Sequence, residues 1–415
     1  MKFERYHIAE AIKNNLSQLG FKKPTDIQFK SIPSIMKGED VLAIAQTGTG
    51  KTAAFAIPVI DKIHNKKTSK RASGIRCIVM VPTRELAEQI GDVFMDLAKY
   101  TRVKIFALYG GVEQNAQIKK LQHGIDVLVT TPGRMFDLIH QGYIKLDSVD
   151  TLVLDEADRM LDPNFIRDIK FVKTMLTKRH QTLFFSATIN REIKKLAFSQ
   201  VKSSAIRIQI SPKDPVSKNV SHCVMFVKMD DKRFFLERFV NENPDSRMIV
   251  FVRTRVRAER VAKAMERVDI ATLTIHGDKD QNKRASVMKE FRQGECNILI
   301  ATDISARGID IADVNYVINY DLPEVPENYV HRVGRTGRAF NKGVAISFCS
   351  EDEKERLDNI QLLLDKKIEV INIHKKDYAR TLTLAKDESS LQELLDGNEV
   401  WQEKKGKKKK KKNRK

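Results

Sequence analysis

Three arginines, Arg332, Arg335 and Arg338, recur at a spacing of three in HRVGRTGR, residues 331–338, with glycines beside two of them. Guanidinium groups on a glycine-containing turn suit a multi-oxygen anion such as phosphate, because each planar fork makes paired charge-assisted hydrogen bonds. The alternative for this octapeptide alone is a solvated basic turn. A second stretch, VLAIAQTGTGKT at 41–52, runs from an apolar strand through a glycine-containing turn into a helix. The turn formed by Gln46, Thr47, Gly48, Thr49 and Gly50 can aim backbone N–H groups at phosphates, Lys51 can reach the outer phosphates, and the Thr52 hydroxyl can hold magnesium. The usual GxxxxGK pattern has glycine where this chain has Ala45. The order strand, turn, helix carries the nucleotide reading instead. In TLVLDEAD, 151–158, an apolar strand ends in three acids. Asp155 suits a magnesium ion that keeps its water, and Glu156 suits the orientation of an attacking water. A strand end with solvated acids is the plainer alternative. FFSAT places Ser186 and Thr188 at another strand end, where their hydroxyls can bond Asp158 or simply form a turn.

These residues need a scaffold that gathers strand ends. Short β-branched runs alternate with helix-length amphipathic segments: VLAIA, CIVMV, KIFAL, DVLVT, TLVLD and LFFSA, then VMFV, MIVFV, TLTIH, ILIAT, YVINY and AISFC. That alternation predicts α/β architecture with parallel sheets and right-handed crossovers. Polar clusters follow the strands, as in PTREL, TPGR, RTR and DISARGID. In open parallel sheets they therefore line one edge, beyond the carboxyl ends of the strands. Thr83 or Thr131 can cap the next helix, with Arg84 or Arg134 beside it, and Gly111 offers bare backbone for close approach. Such groups bind a phosphate backbone well and bases poorly, so sequence-independent strand binding is expected. The second half has no GKT and no acid pair, so it cannot hold ATP and magnesium alone, yet it carries the arginines. Domain closure would then bring Arg335 and Arg338 to the terminal phosphate as arginine fingers, worth on the order of a thousandfold in phosphoryl transfer. His331 and Asp303 are placed by sequence to help link the two sides.

The 415-residue chain, 41% hydrophobic and 31% charged, has the composition of a soluble globular protein with two or three domains. No apolar run approaches the roughly 18 residues of a membrane span, and MKFERYHIAE lacks a secretion signal's apolar core. A cytoplasmic protein with no membrane contact is expected. Cys77, Cys223, Cys296 and Cys349 are far apart in apolar runs and read as buried, reduced thiols. Net charge is +20. Ten Lys and Arg with no acid fall in 404–415, and the remaining 403 residues still hold 64 basic against 54 acidic side chains. That balance points toward nucleic acid. The pattern divides the chain into a first domain at 1–211, a linker at 212–220 with two prolines, a second domain at 221–368, and an extension at 369–415. The extension, ending in the lysine-rich tail, reads as largely disordered.

The ordered set of phosphate loop, PTREL, GG, TPGR, DEAD, SAT, ARGxD and HRxGRxGR resembles the DEAD-box family of ATP-dependent RNA helicases over roughly residues 1–368. Within it, YVHRVGRTGRAFNKG and the short N-terminus resemble the bacterial RhlE-type branch. The resemblance implies two tandem RecA-like domains, ATP and Mg2+ as cofactors, and local unwinding of short RNA duplexes or remodelling of RNA–protein complexes. It also implies residue roles that spacing does not identify. GFKKPTDIQ is similar to the family's adenine-recognising motif, so that Gln28 reads the adenine edge, Phe21 stacks on its face and Thr25 assists, with Phe3 as the upstream aromatic. By composition alone, Phe21 reads as core and Gln28 as surface. The resemblance assigns RNA-backbone contact to Thr83, Arg84, Gly111, Thr131 and Arg134 in the first domain and to Arg253, Gly277, Arg284 and Thr302 in the second. It places Asp303 at the ATP ribose. A monomeric core is expected, and ribosomal or RNA-decay complexes are open partners. Pro163 and Asn164 stand where the branch carries Met-Gly, which puts the local helix start in doubt. Two rival readings stand beside the helicase: an ATP-gated RNA clamp with slow hydrolysis, and a DNA translocase, since phosphate contacts do not tell RNA from DNA.

Overall fold

A computed structural model describes residues 2–45, 48–69, 71–72, 74–160, 163–188, 191–210, 216, 219–279, 281–303, 314–337 and 342–383. They divide into two compact units, one holding the described residues up to Ile210 and the other those from Val216.

In the first unit seven strands, β1 Val41–Ala45, β2 Cys77–Met80, β3 Ile105–Leu108, β4 Val127–Thr130, β5 Thr151–Leu154, β6 Gln181–Ser186 and β7 Ile206–Ile210, form one sheet. The spatial order is β3-β4-β2-β5-β6-β1-β7, and each neighbouring pair is parallel. Central strands buried on both faces need apolar side chains at every position, which is why these runs are continuous rather than alternating. Along β1, Val41, Ala43 and Ala45 enter one core cluster and Leu42 and Ile44 the other. The helix Lys51–Lys66 follows β1 and packs by Phe55, whose ring lies 5.1 Å from Phe185 of β6 and 6.0 Å from Phe94. Full burial of such a ring stabilises by about 1.5–3 kcal/mol and fixes the helix that starts at the phosphate turn. Pro58 lies inside that helix, which continues through it although the proline has no N–H to give to Ala54.

The second unit repeats the plan. Its strands are β8 Val220–Phe226, β9 Met248–Val252, β10 Leu273–Ile275, β11 Ile298–Thr302, β12 Tyr316–Asn319, β13 Gly343–Cys349 and β14 Glu369–Ile371. They pair in the order β10-β11-β9-β12-β13-β8-β14, again all parallel. Numbered from its own first strand, this is the order of the first sheet.

The ends of this unit differ from the sequence expectation. β8 begins at Val220, inside the expected linker. The fading apolar rhythm put the domain's end at 368, but β14 adds an edge strand to β8 and a helix, Lys375–Thr383, docks on the helix Lys232–Glu242. The docking uses few apolar groups: the Tyr378 ring lies 5.0 Å from Phe235, its hydroxyl donates to Asp231 at 2.7 Å, and Arg238 donates to Thr381 at 2.8 Å. Three residues of strand and one aromatic make too weak a pattern to read as periodicity. The lysine-rich tail lies outside the described residues. Cys77, Cys223 and Cys349 are buried free thiols as expected, whereas Cys296 is half-buried. No helix among the described residues is long and apolar enough to cross a membrane.

Candidate functional site

Because every strand of the first sheet runs the same way, its chemistry-bearing turns emerge at one edge. Gly48 and Gly50 have φ of 77° and 88°, the left-handed region that glycine enters freely, and the helix starts at Lys51. A Cβ on Gly50 would collide with the Gln28 side chain. Gln28 is 1% exposed, contrary to its reading as a surface residue. Its Oε1 accepts from the Thr25 amide at 3.0 Å, closing a capping box on the helix Asp26–Met36, and its Nε2 donates to the Gly50 carbonyl at 3.1 Å. One side chain thus ties the Thr25 cap to the phosphate turn. Phe21 is half-buried and packs in a T-shaped contact with buried Phe3, with centroids 6.2 Å apart. Gln46 and Thr47 lie outside the described residues.

Lys51 is buried, and its Nζ donates to the Ala45 carbonyl at 2.7 Å. Thr52 is half-buried beside it. Asp155, 3% exposed at the end of β5, is pushed up to about 7 by burial; the Lys51 charge works against the rise, and Glu156 and Asp158 add to it. A carboxyl so placed takes a proton or a cation at neutral pH. With the Thr52 hydroxyl it is a hard oxygen set that fits a magnesium ion retaining its waters. Glu156 holds φ 52°, a strained conformation for a residue with a Cβ, and its amide donates to Asp155 Oδ1 at 2.9 Å. Asp158 Oδ2 accepts from the Thr188 amide at 3.2 Å and its hydroxyl at 3.1 Å. Ser186 does not reach Asp158 as the sequence suggested: its hydroxyl donates to the Thr188 carbonyl at 2.8 Å, bracing the turn that carries the link. The helix Pro163–Met175 starts at its proline, a position where the missing N–H costs nothing.

On the same edge Thr83 caps the helix Arg84–Ala98, accepting from Leu86 N at 3.3 Å. Thr131 occupies the cap of Pro132–His140, but its side chain makes no capping bond. The exposed Arg84 guanidinium lies against Gly110 and Gly111, the latter at φ 84°. Arg134 donates to the Val112 carbonyl at 3.2 Å and to Gln117 Oε1 at 2.5 Å. Gln117, buried, donates to the Tyr109 carbonyl at 3.1 Å. Sequence reasoning missed Gln117. Its only signal is a polar residue on the buried side of an otherwise polar helix.

In the second unit the arginine octapeptide divides. Arg332 is fully buried: it grips Asp303 by two bonds of 2.6 and 2.8 Å, donates to Asn319 Oδ1 at 3.2 Å and the Asp321 carbonyl at 2.6 Å, and lies over the Phe251 ring. Its anion is an internal carboxylate, not a phosphate. Both Asp303 oxygens are thereby engaged. His331 is buried and Arg335 is 6% exposed, while Arg338 lies outside the described residues. Arg253, half-buried after β9, gives its amide to Asp321 at 3.0 Å. Gly277 is exposed with open space around it, Arg284 is half-buried on the helix Gln281–Gln293, and Thr302 closes β11.

Known proteins similar to this chain share one family. The family described as DEAD/DEAH box helicase matches residues 25–196, and the helicase conserved C-terminal domain matches 231–340. The DEAD-box ATP-dependent RNA helicase CshA of Bacillus cereus is 38% identical over 377 residues, 91% of this chain and 71% of that protein. The ATP-dependent RNA helicase RhlB of Shewanella oneidensis is 38% identical over 375 residues, 89% of this chain and 85% of that one. Among solved structures, S. cerevisiae Dbp5 bound to RNA and ADP BeF3 is similar at a TM-score of 0.81 and 29% identity, covering 92% of this chain and 98% of its own.

Proposed function

The chain belongs to the DEAD/DEAH box helicase family as an ATP-dependent RNA helicase, and from that premise we propose how its residues divide the work. The 48–52 turn and Lys51 bind the phosphates of ATP, with Gln46, Thr47 and Thr49 of the same loop, while Gln28, Phe21 and Thr25 take the adenine. Asp155 and Thr52 hold Mg2+, which neutralises charge on the phosphates when bound. Glu156 orients the water. Arg335 and Arg338 stabilise charge on the transferring phosphoryl group, and Asp303 serves the ribose. Thr83, Arg84, Gly111, Thr131, Arg134, Arg253, Gly277, Arg284 and Thr302 grip the RNA backbone without reading bases. The Asp158–Thr188 bond, with Ser186 behind it and His331 in the second unit, carries the state of the nucleotide to those contacts.

The observation that supports this most is the buried Asp155 carboxyl beside the Lys51 charge, on an acid turn bonded to Thr188. Together with the family membership it supports hydrolysis coupled to local unwinding or RNA–protein remodelling. A cytoplasmic, monomeric protein working on ribosomal or RNA-decay complexes is the setting we favour. Phosphate release measured with no nucleic acid, with single-stranded RNA and with matched DNA tests the reading. Strong stimulation by RNA alone is expected; equal stimulation by DNA would favour a DNA translocase, and no stimulation would remove the helicase assignment.

A further inference from the structure

The strand β10 is three residues long and, among the described strands, lies at the edge of its sheet, paired to β11. Ladder bonds alone give its carboxyl-terminal turn little support, yet that turn presents Gly277. Side chains of the helix Arg255–Glu266 supply the rest. Glu259 Oε1 accepts from His276 Nε2 at 2.7 Å and from the Thr274 hydroxyl at 3.0 Å. Lys279 donates to the Thr274 hydroxyl and stands 3.9 Å from the same Glu259 oxygen. One turn earlier on the helix, Arg255 pairs with Asp278. Residues 274, 276, 278 and 279 are all tethered to one helix. That helix is capped by Thr254, which accepts from Arg257 N at 3.2 Å, directly after Arg253.

His276 is buried, and its Nδ1 has no hydrogen-bond partner among the described residues. The bond to Glu259 is therefore what sets the ring's orientation, and with it the backbone entering Gly277. The bond from His276 holds the Glu259 carboxyl below its usual range although burial opposes this, with Thr274 and Lys279 assisting. The carboxylate is thus ionised and accepts charge-assisted bonds at neutral pH. None of these four residues belongs to the strand contacts assigned above.

We propose that Glu259 is a positioning residue for RNA grip by the second unit, locking the His276–Lys279 turn to the helix that starts beside Arg253, so that both contact stretches move as one piece. The inference rests on the assignment of Arg253 and Gly277 to the RNA backbone. In RNA-stimulated ATPase assays, Glu259→Met should raise the KM for RNA about tenfold, the lower range for losing a charge-assisted hydrogen bond, with kcat within twofold. Glu259→Gln keeps an acceptor and should recover most of the loss. The double variant Glu259→Met with His276→Asn should be no worse than the more affected single one, because both break the same link. An RNA KM unchanged in Glu259→Met but raised in Arg253→Ala overturns the positioning role alone, as do additive losses in the double variant. An RNA KM unchanged in both Glu259→Met and Arg253→Ala overturns the strand-contact assignment beneath it.

Discussion

At Asp155, burial and neighbouring acids outweigh a lysine, and the carboxyl is pushed up to about 7. The sign of the consequence is fixed by linkage. A folded-state value above the unfolded one means that stability is fully present below about pH 4 and is lost progressively as pH rises toward 7. In metal-free buffer Asp155→Asn should therefore raise the melting temperature at pH 8 and lose that advantage near pH 4, measured by thermal unfolding; an advantage independent of pH would contradict the burial of a titrating acid. Glu156→Gln should retain ATP binding, stall hydrolysis and lengthen RNA residence, and unchanged turnover would refute its role with water. A residue's bond was legible in the sequence where type and position coincide, as for Thr188 and Asp158. It was not legible where a polar side chain works from inside. Gln28 looks like surface by type, but capping and the Gly50 carbonyl satisfy its amide within the core. Arg332 shares the spacing of its two neighbours, and only the fold turns it inward onto Asp303.

Among the elements, doubly buried parallel strands announce themselves as unbroken apolar runs, so the ten inner strands could be read directly; the edge strands β3 and β10 were read with them, whereas β7 and β14 were not. IRIQI at β7 alternates because it is an edge strand with one face half wet, and β14 is three residues long. Away from these margins a buried ion cluster lies under the helix Lys232–Glu242, where fully buried Lys232 donates to Glu353 at 2.5 Å and to the Tyr320 carbonyl at 2.7 Å, with Asp321 at 3.7 Å. Burial works to raise the Glu353 carboxyl, but Lys232 and the Ser350 and Leu322 amides hold it below its usual range. Removing the cation takes from the buried Glu353 carboxylate its short partner and leaves it Arg356 at 3.8 Å, while Asp321 keeps Arg257 at 2.7 Å. Lys232→Met should cost about 3–5 kcal/mol in denaturant unfolding. A loss under about 1 kcal/mol would mean the cluster is not the second unit's keystone that its burial indicates.

For the whole molecule, one sheet plan is used twice and the chemistry is shared unequally between the copies. The phosphate turn and acid turn belong to the first, and the arginine-bearing turn to the second. The repeat was legible only as two series of strand runs, because the pairing order depends on contacts between distant segments. The unequal sharing was legible from the motifs themselves. If both copies serve one reaction, removing charge from the second must slow chemistry at the first without loosening its hold on nucleotide. The direct measurement is phosphate release at saturating RNA, together with ATP affinity, for the unaltered protein and Arg335→Ala. The account predicts a fall in kcat of about a hundredfold or more with ATP affinity within about threefold, in keeping with arginine fingers elsewhere. An unchanged kcat accompanied by weakened ATP binding would contradict it.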